Sequence, residues 1–150
     1  MITQEQKKPD LSYKNATKEN VEIIYQYNKE LLEGYTEIQL VDRETILKSL
    51  WEKIENSIEC YKMLYLGDTE VGFYCIHTRR EEIELEDLCV YPAYQNQKIG
   101  TTVIEQCLEE ANLPVQLYVF KENVGAWRLY EKLGFYIARN IENSVYMMVR

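Results

Sequence analysis

A short polar segment contains the first residues whose types could do chemistry. It follows an apolar stretch that ends at Val90, opens an amphipathic stretch and consists of Gln95, Asn96, Gln97, Lys98, Ile99, Gly100 and Thr101. Helix N-termini present unpaired backbone N–H groups and a partial positive charge, so they attract phosphate. Gly100 has no Cβ and lets a ligand approach the backbone closely. The segment is therefore a candidate phosphate-binding loop, although a plain strand-to-helix turn would explain the same residues.

The elements around this loop are predicted from periodicity and from turn residues. One buried helical stripe is predicted at Val103, Ile104, Cys107, Leu108 and Ala111. A later helix is predicted to begin at Asn123, as an N-cap whose side chain accepts from a first-turn N–H, and to end at Gly134. Two earlier helices are predicted to follow Thr17 and Asp42. Strands are predicted over residues 11–15, 61–66, 71–78, 83–90, 115–119, 136–141 and 145–149.

These motifs and their order resemble the GNAT superfamily of N-acetyltransferases. Its later motif is matched by Leu117, Val119, Asn123, Ala126, Leu129, Tyr130, Lys132, Gly134 and Phe135. In its loop motif, Gln/Arg-x-x-Gly-x-Gly/Ala, Gln95 and Gly100 match, but Lys98 stands where the first glycine is expected. A lysine resists positive φ because of its Cβ, so a backbone amide could be turned away there. Its ammonium could equally help to neutralise phosphate.

The resemblance implies a fold of the α/β (α+β) class. The expected sheet is mixed and mostly antiparallel, with about seven strands, four flanking helices and a splay between the fourth and fifth strands. The expected co-substrate is acetyl-CoA, with its pantetheine arm in the splay. The implied coenzyme contacts are Leu88, Cys89, Val90, the loop from Gln95 to Thr101, Asn123, Ala126 and Tyr130.

The resemblance also implies a direct transfer of acetyl to an amine. Tyr130 would protonate the leaving thiolate, and a backbone N–H near Leu88 would stabilise the oxyanion. Glu84 and Glu86 lie two apart in an extended segment and share a face, so either could be the general base. Glu84 lies eleven residues before Gln95, where some family members place a catalytic glutamate. The same acidic run could instead be the solvated face of a hairpin or could bind a cationic acceptor.

Composition excludes several classes of protein. The net charge of −8 disfavours nucleic acid as a partner and favours a cationic amine. No run approaches the ~18 apolar residues of a membrane span, and the polar N-terminus favours a cytoplasmic location. Residues 1–10 are expected to be a disordered lead-in, and 11–150 a single domain. Four widely spaced cysteines and the lone His77 predict reduced thiols and no metal. A homodimer is permitted through an exposed edge strand.

Two other functions are alternatives to acetyl transfer. One is a non-catalytic CoA-binding sensor or interaction module, which Lys98 makes conceivable. The other is a Rossmann-type nucleotide binder, which the absence of a GxGxxG motif excludes. The acceptor class stays open between a small molecule and a peptide. Tyr35, Gln39 and Tyr146 are candidates to line its site, with the loop over residues 33–42.

Overall fold

The computed structural model describes residues 8–35 and 42–150. Within these ranges it contains seven strands and four α-helices. The strands are β1 (Leu11–Asn15), β2 (Tyr61–Leu66), β3 (Thr69–Thr78), β4 (Ile83–Val90), β5 (Val115–Phe120), β6 (Tyr136–Ile141) and β7 (Val145–Val149). The helices are α1 (Val21–Glu33), α2 (Arg43–Asn56), α3 (Ile99–Glu110) and α4 (Val124–Lys132). None of these helices is long and apolar enough to cross a membrane.

This element order confirms the one predicted from the sequence. Five predicted strands have the observed bounds, whereas β3 begins two residues earlier and β5 ends one residue later. The first seven residues of the expected disordered lead-in lie outside the described ranges.

The seven strands form one sheet in the order β1-β2-β3-β4-β5-β7-β6. Every neighbouring pair is antiparallel except β4 and β5, which are parallel. These two strands pair only at Ile83 with Val115 and at Glu84 with Gln116. Beyond those positions they separate towards their carboxyl ends. The predicted fold class and its splay between the fourth and fifth strands are therefore confirmed.

Helices cover the sheet on both faces, and the core is divided accordingly. On one face, Ile24 of α1 and Ile54 of α2 pack with Phe73 of β3. On the other face, Ile104 of α3 packs with Leu117 of β5. Amphipathic helices bury one stripe against a sheet because apolar burial contributes about 25 cal/mol per Å². The gap between β4 and β5 thus opens between two helical layers.

A β-bulge interrupts the pairing of β3 with β4 just before this gap. Cys75 pairs with Asp87 and Ile76 pairs with Leu85, so Glu86 has no direct partner across the ladder. A bulge changes the direction in which successive side chains point. As a result Glu86 and Asp87 both contact the face that α1 and α2 cover, where Glu86 contacts Lys53 and Asp87 contacts Asn28.

The helix ends show which capping predictions hold. Asp42 caps α2 as predicted, accepting from the Thr45 hydroxyl at 2.6 Å and from its N–H at 3.4 Å. Gly134 follows α4 with φ of 94°, the left-handed conformation expected of a C′ glycine. Asn123 is the N-cap residue of α4 as predicted, but the expected capping hydrogen bond from its side chain is not formed. A short 3-10 turn also separates Thr17 from the start of α1.

Candidate active site

A cleft of about 670 Å³ lies between the carboxyl end of β4, the start of α3 and one side of α4. All of the predicted coenzyme-binding residues line it except Cys89 and Gln97. The Cys89 side chain packs on the opposite face of the sheet, in the core under α1 and α2, because side chains alternate along a strand. Gln97 is exposed on the loop. The residues that sequence reasoning missed are Tyr94, Gly125, Arg128, Leu129 and Lys132.

The loop before α3 adopts the left-handed conformation despite its side chains. Asn96 has φ of 64° and Lys98 has φ of 62°. The expectation that a lysine would resist positive φ is therefore wrong here, although the conformation costs roughly 1–2 kcal/mol for a residue with a Cβ. The Lys98 carbonyl accepts the first intrahelical bond, from the Thr102 N–H at 3.0 Å. Residues 99–101 come before Thr102 in the helix, so their N–H groups have no intrahelical acceptor. These three residues line the cleft.

Two further side chains shape the loop. The Gln95 amide donates to the Val90 carbonyl at 3.0 Å and so ties the loop to the end of β4. A Cβ at Gly100 would meet Val90 at 3.9 Å and Leu88 at 4.0 Å, which are ordinary contacts. Protein packing alone therefore does not require a glycine at position 100. A ligand close to the backbone, however, would require one.

Positive charge is concentrated in this cleft although the protein is acidic overall. Lys98, Arg128 and Lys132 line it, and no acidic residue is among the described lining residues. Arg128 and Lys132 are four apart on α4 and therefore share one helical face. This spacing of four residues could have predicted from the sequence that the two side chains lie together. Such a cleft suits a ligand with several phosphate groups.

Tyr130 is half-buried on the α4 side of the cleft. Desolvation, followed by the charge of Asp87 and by Tyr35, raises the pKa of Tyr130 to about 12. The hydroxyl is therefore protonated at neutral pH, as a proton donor must be. Since the charge of Asp87 acts on Tyr130, the phenol and the carboxylate share one electrostatic environment.

Asp87 is an acidic residue that the sequence did not single out as a candidate base. Its Oδ2 accepts from the Asn28 amide at 2.8 Å and from the Tyr61 hydroxyl at 2.9 Å. Desolvation raises the pKa of Asp87, although those two hydrogen bonds oppose the shift. It lies on β4 beyond the last residue that pairs with β5. The bulge places the side chains of two successive residues, Glu86 and Asp87, on the same face of the sheet. No sequence pattern predicted this bulge.

The two predicted bases lie in different surroundings. Glu84 is in the last pair that joins β4 to β5, and its Oε1 lies 3.4 Å from Arg79 Nη2. The Oε1 of Glu86 lies 2.7 Å from Lys53 Nζ, and its Oε2 contacts His77. Desolvation opposes the ionisation of Glu86, but Lys53 and His77 outweigh it and lower the pKa. Both carboxylates are thus engaged in ion pairs.

The predicted acceptor-site residues Tyr35 and Tyr146 pack against different aromatic partners. Tyr35 is buried against Phe120, with ring centroids 4.5 Å apart. Its buried hydroxyl lies beside Asn123 without a hydrogen bond of normal geometry among the described residues. Tyr146 instead packs edge-on against Trp127 at 5.8 Å. Gln39 and most of the loop over 33–42 lie outside the described residues.

The sheet therefore opens beside a helix N-terminus and a basic cleft, which together suit a ligand that carries phosphate groups, as coenzyme A does. The model of the Acetyltransferase (GNAT) family matches residues 24–135, and the chain belongs to that family.

Solved structures have the same fold. The PaiA N-acetyltransferase of Thermoplasma acidophilum, in complex with coenzyme A, aligns with a TM-score of 0.70 and 21% identity, over 94% of this chain and 98% of that one. An Arabidopsis thaliana protein bound to the bisubstrate analogue CoA-Ac-MVNAL aligns with a TM-score of 0.62 and 19% identity, over 93% and 97%. At these identities the likeness concerns the fold.

One curated relative also matches in sequence. It is an uncharacterised protein of Mycobacterium leprae, 32% identical over 88 residues, which are 55% of this chain. The chain spans about a quarter (24%) of the length of that relative.

Proposed function

We propose that the protein is an acetyl-CoA-dependent N-acetyltransferase that acts on a primary amine by direct attack. The observation that carries this proposal is the position of the protonated Tyr130 hydroxyl. Tyr130 lines the same basic cleft as the α3 N-terminus, in the electrostatic range of a carboxylate on β4. A thioester at that point would meet a proton donor and a proton acceptor together.

Coenzyme binding follows from the lining of the cleft. The N–H groups of residues 99–101 and the side chains of Lys98 and Arg128 would hold the phosphates. The pantetheine arm would lie in the gap between β4 and β5. There it would pair with the backbone of residues 88–90 as an added strand. The N–H of Leu88 would then face the thioester oxygen and stabilise the charge that develops on it.

The proton transfers are assigned to residues on both sides of the thioester. The acceptor ammonium would lose a proton to a carboxylate of β4, and the free amine would attack the carbonyl carbon. The C–S bond would then break, and Tyr130 would give its proton to the thiolate sulfur. The attacking nitrogen would lose its second proton to the Tyr130 phenolate or to solvent, which leaves a neutral amide and free CoA thiol. Asp87 is better placed to act as the base than Glu84 or Glu86, since it lies beyond the closed end of the gap and forms no ion pair with a described residue. Holding both reactants in one cleft supplies further acceleration.

The acceptor would enter from the face covered by α1 and α2. Asp87 contacts both α1 and β2 there, and its carboxylate suits a cationic amine. The buried Tyr35 hydroxyl lacks a hydrogen bond among the described residues and is available to a substrate atom. A small-molecule amine and a peptide N-terminus both fit this chemistry. The bisubstrate analogue CoA-Ac-MVNAL is a ligand of the Arabidopsis protein, which has the same fold, and supports a peptide as one possible acceptor class.

Thermal stability with and without acetyl-CoA is the first test, with NADH as the control ligand. We expect an upward shift of Tm with acetyl-CoA alone. A panel of amines scored by thiol release should then find a substrate, and Tyr130→Phe should slow its acetylation. Absence of any shift at millimolar acetyl-CoA would refute the cofactor assignment. A shift without turnover of any amine would instead favour the non-catalytic CoA-binding module.

A further inference from the structure

A second cluster of reactive side chains lies outside the CoA cleft, on the face that α2 covers. Cys75 and His77 lie two apart on β3, and Glu86 comes from the bulge of β4. Cys75 Sγ is 3.7 Å from His77 Nε2 and 3.7 Å from Glu86 Oε2. The imidazole Nε2 and the carboxylate Oε2 are themselves in direct contact. Three potential ligand atoms of three chemical types therefore converge within 4.8 Å of one another.

We propose that these three side chains bind one divalent transition-metal ion of the zinc class. Zinc takes thiolate sulfur at about 2.3 Å and imidazole nitrogen or carboxylate oxygen at about 2.0 Å. Tetrahedral angles then place sulfur about 3.5 Å from each of the other two atoms. The observed separations of 3.7 Å need little adjustment to reach that geometry. Only the contact between His77 and Glu86 must widen, which two side chains at the edge of the core can accommodate.

Each exposed ligand also has an outer partner that orients it. His77 Nδ1 lies 3.5 Å from Cys60 Sγ, so an Nδ1–H can donate there and leave the Nε2 lone pair for a metal. Lys53 Nζ holds Glu86 Oε1 at 2.7 Å, which leaves Oε2 directed at Cys75 and His77. Such outer contacts typically change metal affinity about 10–100-fold when they are removed. Lys53 also offsets part of the negative charge that two anionic ligands bring.

The chemistry of the ligands selects the metal. A thiol with an imidazole disfavours Mg²⁺ and Ca²⁺, which require several oxygen ligands. Cys75 is fully buried, whereas the side chains of His77 and Glu86 are 22% and 12% exposed. Three protein ligands with one open side leave a fourth position for water. This proposal departs from the sequence-based expectation of no metal, and it does not depend on the proposed acetyltransferase activity.

Cobalt is the probe, because Co²⁺ bound by thiolate in a tetrahedral site absorbs in the near-ultraviolet and visible. The reduced, metal-stripped full chain is titrated with Co²⁺ and then with Zn²⁺. We expect the near-ultraviolet thiolate band and the visible bands to reach their full intensity at one equivalent of Co²⁺ per chain. Both should vanish when Zn²⁺ is added and displaces Co²⁺. Cys75→Ser should abolish the thiolate band, and His77→Asn should weaken binding by at least about tenfold. Cys107→Ser is the matched control, since that thiol lies on the opposite face of the sheet, and should leave the spectrum unchanged.

The outcomes separate a metal site from a hydrogen-bonded cluster. Absence of a thiolate band at millimolar Co²⁺ would show that these residues form only ion pairs and hydrogen bonds. Bands that survive in Cys75→Ser but disappear in Cys60→Ser would also overturn the proposed ligand set. If Cys75→Ser does not fold, Glu86→Gln retains the buried thiol and must still weaken Co²⁺ binding at least about tenfold.

Discussion

Lys98 combines an unfavourable backbone conformation with a favourable charge, and substitutions can separate the two. Its φ of 62° costs roughly 1–2 kcal/mol for a residue that has a Cβ. Glycine avoids this cost, but its greater freedom in the unfolded chain lowers the free energy of unfolding by about 0.5–1 kcal/mol. Lys98→Gly should therefore raise the free energy of unfolding by about 0.5–1 kcal/mol. Lys98→Ala keeps the Cβ and should leave it nearly unchanged.

The charge of Lys98 should affect coenzyme affinity in both variants. A unit charge 4 Å from a phosphate contributes about 1 kcal/mol in bulk water and about 4 kcal/mol in a medium of lower dielectric constant. Lys98 is exposed, so the lower figure applies. A loss of about 1 kcal/mol corresponds to a roughly fivefold rise in Kd. The rise should shrink at high ionic strength, because salt screens exposed charges.

Urea denaturation measures the stability difference, and calorimetric titration with CoA at low and high salt measures the affinity. Lys48→Ala on the exposed side of α2 is the control for a change of net charge, and its Kd should equal that of the wild type. If Lys98→Ala binds CoA as tightly as the wild type at low salt, the Lys98 ammonium does not contribute to coenzyme binding. If Lys98→Gly is no more stable than Lys98→Ala, the left-handed conformation at position 98 carries no net cost.

Three further predictions concern the cleft and its frame. Because the pKa of Tyr130 is about 12, kcat measured by thiol release should not fall with rising pH below about pH 11. In the same assay, Tyr130→Phe should lower kcat by about a hundredfold. A Cβ at Gly72 would lie 2.1 Å from the Cys89 carbonyl oxygen, so Gly72→Ala should lower the free energy of unfolding by about 3 kcal/mol in urea denaturation. Gly125→Ala, within α4 and with open space around it, should not lower it. Asp87→Asn should lower kcat/KM by at least about a hundredfold and Glu84→Gln by less than about tenfold; the reverse order would assign the base to Glu84.

The parts of the fold that depend on local pattern could be predicted from the sequence. The helix over 124–132 and the strands at 136–141 and 145–149 follow from periodicity and from Gly134, whose left-handed φ only glycine adopts without strain. Of the cleft residues on this helix, Ala126 and Tyr130 followed from the family resemblance, whereas Gly125, Arg128, Leu129 and Lys132 were not predicted as coenzyme contacts.

The remaining features depend on which strands become neighbours and in what register. The position of Asp87 depends on a bulge in the pairing with Cys75, which no local pattern encodes. The cluster of Cys75, His77 and Glu86 likewise arises from cross-strand register, since spacing along the chain hides it. The positive φ of Lys98 was not predicted either, because the surrounding loop holds this residue in a conformation that its own Cβ disfavours.

The brief pairing of β4 with β5 has a consequence for how the two parts of the sheet stay together. Only two residue pairs join the four strands β1–β4 to the three strands β5, β7 and β6. Apolar contacts among side chains such as Leu85, Ile104 and Leu117 also hold the two parts together. Apolar association weakens on cooling, whereas the ladders within each part depend more on backbone hydrogen bonds. In hydrogen exchange near 0 °C, the amides of β5 and β7 should therefore lose protection together, as one cooperative unit, before those of β2 and β3.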